Sequence, residues 1–124
     1  MSAYDCVCDY DPPEFATVRN IKAARKQQRC TECGCIIQPG EPYHCITGKW
    51  EGWMNTFKHC QRCRELIAFV QASIPCFCWA YDNVFEDARE CAREYGHEAP
   101  GLRFGVARRI YKIQEHAAAT RGLP

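Results

Sequence analysis

Two CxxC pairs, Cys30-Thr31-Glu32-Cys33 and Cys60-Gln61-Arg62-Cys63, constrain this chain more than any other feature. Two residues between cysteines let the backbone curl until both sulfurs face one cation, and two such pairs supply the four thiolates of a closed tetrahedral zinc site. Gly34 follows the first pair and can take the left-handed conformation that a cysteine knuckle needs. The second pair opens an apolar pattern of helical period, so Cys60 and Cys63 can share the first turn of a helix, where the dipole favours thiolate. Cys30, Cys33, Cys60 and Cys63 are therefore predicted to hold Zn2+.

The chain has 124 residues, the size of one domain, and its core would gain from a metal staple. Its eleven cysteines are odd in number and clustered as CxxC and CxC, and no apolar run follows a basic N-terminus. These features favour metal thiolates in a reducing cytoplasm over a secreted disulfide framework. No stretch approaches membrane-spanning length, so the expected location is cytoplasmic. Two CxC pairs, Cys6-Val7-Cys8 and Cys76-Phe77-Cys78, suggest a second zinc formed by Cys6, Cys8, Cys76 and Cys78. The alternative is that Cys76 and Cys78 are buried thiols. A four-cysteine zinc site adds four thiolate charges and two metal charges, a change of −2. The formal +1 thus falls to about −1 with one site and about −3 with two, which excludes nucleic-acid binding through bulk charge and leaves only local patches.

Along the chain, residues 1–15 form an acidic arm with Asp5, Asp9, Asp11 and Glu14 and no basic residue. The charge then reverses in Arg19, Lys22, Arg25, Lys26 and Arg29, a run that would make a stripe on a helix and spread over both faces of a strand. No aromatic is interleaved there, so a solvated charged face competes with a phosphate-tracking one. Residues 42–49 and 53–58 read as a hairpin turning at Glu51-Gly52, with Trp50 and Trp53 beside the turn. The tryptophans either build the small core by the zinc or, with Asp9 and Asp11, present a partner-binding surface. Helices are predicted over 61–74, over 83–95 with a capping box from Asn83 to Glu86, and over 102–118. The expected faces are Cys63, Leu66, Ile67, Val70 and Ile74; then Phe85, Ala88, Ala92 and Tyr95; then Leu102, Val106, Ile110, Ile113 and Ala117. Arg108 and Arg109 add a second basic patch on the third helix. The fold class is α+β, with a zinc-stapled knuckle, hairpin and helix over 16–74, a helical extension packed on it over 75–119, and a frayed tail over 120–124.

The four CxxC cysteines, together with the turn Ile37-Gln38-Pro39-Gly40-Glu41-Pro42-Tyr43, make the segment 24–74 resemble treble-clef zinc fingers. The resemblance is to those of small proteins encoded by tailed phages and prophages, and it covers about two fifths of the chain. It implies a structural metal and an intracellular accessory protein of a phage, acting in the host cytoplasm, possible targets being host defence complexes of the CRISPR type.

Three function classes follow. The first is a non-enzymatic adaptor or inhibitor that docks on a host protein or protein-nucleic acid complex. The second is a nucleic-acid-binding finger using Arg19, Lys22, Arg25, Lys26, Arg29, Arg108 and Arg109. The third, a treble-clef nuclease, would need a histidine base on the hairpin and a metal-binding His or Asn on the helix. His44 and Asn55 lie on the hairpin, yet residues 61–74 contain no His, Asn or Asp, and a four-cysteine site has no open position for water. The expectation is a protein that is not an enzyme. His59 could replace Cys60 in a Cys3His set, Cys35 could enter the site by slippage, and Cys45 and Cys91 read as buried thiols.

Overall fold

A computed structural model describes residues 14–121 of the chain. The arm residues Cys6, Cys8, Asp9 and Asp11, and the last three residues of the predicted tail, lie outside the described residues. The fold is α+β, with small antiparallel sheets followed by three helices. In chain order the elements are β1 (Phe15–Ile21), β2 (Gln28–Arg29), β3 (Ile36–Ile37), β4 (Tyr43–Trp50), β5 (Trp53–Cys60), α1 (Gln61–Ser73), α2 (Val84–Tyr95) and α3 (Leu102–Arg121).

β4 and β5 form the predicted hairpin, with Trp50 opposite Trp53 and Tyr43 opposite Cys60. Its two-residue turn has both central residues at positive φ, Glu51 at 49° and Gly52 at 84°, which matches the twist of the strands it joins. β2 and β3 bracket the first CxxC pair as a minimal ribbon, Gln28 opposite Ile37 and Arg29 opposite Ile36. Gly34 takes φ 76° between them, and its N–H donates to the Cys30 carbonyl at 3.0 Å.

β1 realises in part the strand alternative for the basic run, but it begins at Phe15, where no strand was expected. It adds to β4 in the order β1-β4-β5, from Phe15 opposite Lys49 to Ile21 opposite Tyr43. Six of its seven residues are exposed, so the inside-outside alternation that signals a strand is missing from its sequence. The basic run consequently forms no helix: Arg19 lies in β1, Arg29 in β2, and Lys22, Arg25 and Lys26 in the connection between them.

The three helices bury one contiguous apolar layer against the knuckle and β4–β5. Cys63, Leu66, Ile67 and Val70 of α1 meet Leu102, Val106, Ile110, Ile113 and Ala117 of α3, with Ile37 behind them. Both faces are as their helical spacing predicts. α2 is rotated from its expected face. It buries Val84, Asp87, Ala88, Cys91 and Ala92, while Tyr95 is exposed and Phe85 half-buried. The Asn83 capping box does not form either, because Asp87 turns inward and accepts from the Ala80 N–H at 2.7 Å and from Asn83 Nδ2 at 3.0 Å. α3 runs three residues past the predicted end at 118, and its last turn is tied down: Thr120 Oγ1 accepts from the Ile36 N–H at 3.0 Å, and Arg121 donates to the Cys33 carbonyl at 3.2 Å.

Candidate metal centre

The knuckle between β2 and β3 brings in Cys30 and Cys33, and the junction of β5 with α1 brings in Cys60 and Cys63. Their four sulfurs lie within 4.8 Å of one another and all four residues are buried. The Cys30–Cys63 and Cys33–Cys60 sulfur separations are 3.7 and 3.8 Å. A tetrahedron with arms of about 2.3 Å, the zinc–thiolate distance, has edges of about 3.8 Å. The donor set therefore fits zinc, whereas a disulfide needs sulfurs at about 2.05 Å, and all four cysteines are free.

Backbone amides reinforce the site. The Cys60 N–H donates to Cys30 Sγ and the Cys35 N–H to Cys33 Sγ, each at 3.4 Å. Without a cation the four sulfurs are in electrostatic conflict. Hydrogen bonds with Cys33, Cys35, Cys60 and Cys63 hold the Cys30 thiol far below its ordinary range, while those with Cys30, Cys33 and Cys60 drive Cys63 far above its own. A divalent ion lets all four ionise together and crosslinks knuckle to helix.

Glu32, between the first two ligands, is a structural residue that sequence reasoning missed. Its side chain is only 2% exposed. Oε2 accepts from His59 Nε2 at 2.9 Å and from the Asp82 N–H at 2.6 Å, and Oε1 accepts from the Val84 N–H at 3.1 Å. One carboxylate thus joins the knuckle, β5 and the start of α2, where the helix dipole favours negative charge. The only signal in the sequence is an acid placed between two ligand cysteines. His59 is fully buried and projects from the opposite face of β5 to Cys60, so it does not replace Cys60 in the cluster. Cys35 is buried beside the cluster and outside the four-sulfur set.

The other predicted residues are spread out. Cys76 and Cys78 are half-buried in the segment joining α1 to α2, and Cys78 is disulfide-bonded, so it is not one of four free thiolates as the expected second zinc site requires; Cys45 and Cys91 are buried in the core. Trp50 packs edge-on against Phe57 and Tyr81, with ring centroids 5.4 and 5.6 Å apart, and Trp79 and His59 extend this cluster around Tyr81. Trp53 is not part of it: among the described residues no element covers the hairpin tip, and the residue is 76% exposed. Arg108 is exposed, while the Arg109 guanidinium lies 3.7 Å above the Phe69 ring and serves helix packing. Sequence reasoning also missed Phe104 and Tyr111, both exposed on the outer face of α3.

No family model, curated protein or solved structure matched this chain in the comparisons made. No helix among the described residues is long and apolar enough to cross a membrane.

Proposed function

We propose that the chain is a zinc-binding interaction protein without catalytic activity, in which a treble-clef centre is the structural scaffold. The observation that carries this reading is the closed, buried set of four thiols. Four sulfur ligands complete a zinc tetrahedron and leave no coordination position for water or substrate. The treble-clef assignment rests on the order of knuckle, hairpin and helix, with the ligands divided between knuckle and helix start. Against nuclease chemistry, His44 pairs with His59 while Asn55 pairs with Gly48, four positions along the hairpin. α1 still offers no His, Asn or Asp.

The binding role draws on large apolar side chains that are exposed among the described residues, Trp53 at the hairpin tip and Phe104 and Tyr111 on α3. Such residues are enriched among interface hot spots. A host protein or protein-nucleic acid complex is the proposed partner, and a phage setting with inhibition of a CRISPR-type defence complex rests on the sequence resemblance. Nucleic acid as a direct ligand is a second reading. It is favoured by Phe104 and Tyr111 alternating with Arg108 and Lys112, with no acid between 102 and 114.

Purified protein should contain about one zinc per chain from this centre. Replacing Trp53, Phe104 and Tyr111 by Ala should leave metal content and fold intact while removing whatever host protein the wild type retains. Metal-free protein with native circular dichroism would defeat the scaffold reading. Undiminished retention by the triple variant would defeat the docking reading.

A further inference from the structure

A cleft of about 380 Å³ opens between the end of β1, the start of β4 and the first turn of α1. That volume is at the small end of the range for ligand pockets. Its polar lining is Asn20, Lys22, Tyr43, His44, Gln61 and Arg64, completed by the apolar Ile21 and Pro42, and among the described residues no carboxylate lines it. Among the described residues neither Lys22 nor Arg64 forms an ion pair. The nearest acid along α1, Glu65, is exposed and turned to the Gln61 amide at 3.5 Å.

We propose that this cleft binds a phosphate group carried by a small organic molecule or by the end of a nucleic-acid strand, with Arg64 and Lys22 as its charge partners. Arg64 is half-buried, which strengthens its field and limits screening by salt. That field is already felt within the protein: His44 is held below its ordinary pKa by burial first and by the Arg64 charge second. The N-terminal end of α1 is already engaged by Cys60 and Cys63 of the metal cluster, so the positive charge open to a ligand is that of Arg64 and Lys22 alone. Asn20 and Gln61 can donate to phosphate oxygens, and Ile21, Pro42 and Tyr43 give the attached organic group an apolar wall. Lys22 belongs to the basic run of the sequence, whose other members lie outside this cleft.

The test is calorimetric titration of zinc-loaded protein at low salt with inorganic phosphate, AMP, adenosine, and a short oligonucleotide with and without a 5′-phosphate. AMP should bind and adenosine should not. Arg64→Gln should weaken AMP by about tenfold or more, the effect of one lost charge-assisted hydrogen bond. Lys22→Gln, outside both CxxC segments, should weaken it less but measurably, and decides the matter if Arg64→Gln loses zinc. Tighter binding of the 5′-phosphorylated strand than of AMP assigns the source as a nucleic-acid end, and equal or weaker binding assigns a small phosphorylated molecule. Absence of binding by every phosphate species at about 10 mM, where screening is still partial, overturns the proposal, as does AMP affinity unchanged in both variants. Zinc content measured on the same samples separates loss of this site from failure of the metal scaffold.

Discussion

Replacing Glu32 by Ala tests whether the acid inside the first CxxC pair holds the knuckle, β5 and the start of α2 together. The substitution removes an acceptor shared by His59 Nε2, the Asp82 N–H and the Val84 N–H, at a side chain 2% exposed. Hydrogen bonds to a charged group contribute about 1.5–3 kcal/mol each, but three that share one carboxylate do not add. Leaving a buried donor without an acceptor costs about 1–3 kcal/mol, so with three donors affected about 3 kcal/mol is the expectation for Glu32→Ala. Glu32→Gln keeps one carbonyl acceptor and should cost about 1–3 kcal/mol. Urea unfolding at fixed free zinc, followed by tryptophan fluorescence, should show the Glu32→Ala midpoint lowered by at least about 1 M, given slopes of about 1–3 kcal/mol/M. Amide exchange should accelerate in α2 more than in α1, because the start of α2 loses its tether. Zinc should remain bound, since Glu32 is not a ligand. A midpoint within about 0.3 M of wild type, with α2 exchange unchanged, would show that the carboxylate is dispensable and refute the bridging role.

Cys63→Ala should abolish stoichiometric zinc binding and native circular dichroism, whereas Cys35→Ala, next to the cluster but outside its four sulfurs, should retain the metal; metal analysis of both distinguishes the true ligand set from a slipped one. Gly105→Ala places a methyl group against the Phe69 ring where α3 crosses α1, and should lower stability by about 1–3 kcal/mol in urea unfolding through overpacking.

The metal centre and the helices were legible because their signals are local: two-residue cysteine spacing, and apolar periods that α1 and α3 keep within a single element. What stayed hidden depends on contacts between distant residues. β1 owes its existence to pairing with β4, some thirty residues later, and carries no alternation of its own. The face of α2 could not be read from Phe85 and Tyr95, because Glu32 fixes the N-terminal end of the helix and Asp87 turns inward to bond Ala80 and Asn83. Trp50 and Trp53 are equivalent in sequence, on either side of one turn. Only Trp50 meets Tyr81, from a segment whose position the sequence did not reveal.

The knuckle is completed by the last turn of the last helix, since Ile36 and Cys33 depend on Thr120 and Arg121 for a backbone hydrogen-bond partner. During synthesis all four thiols leave the ribosome well before those two residues do. The four ligands are thus on hand before the shell around them can close, so a chain halted before residue 120 would hold its ion in a more open cage, with faster exchange to chelators than the finished protein allows.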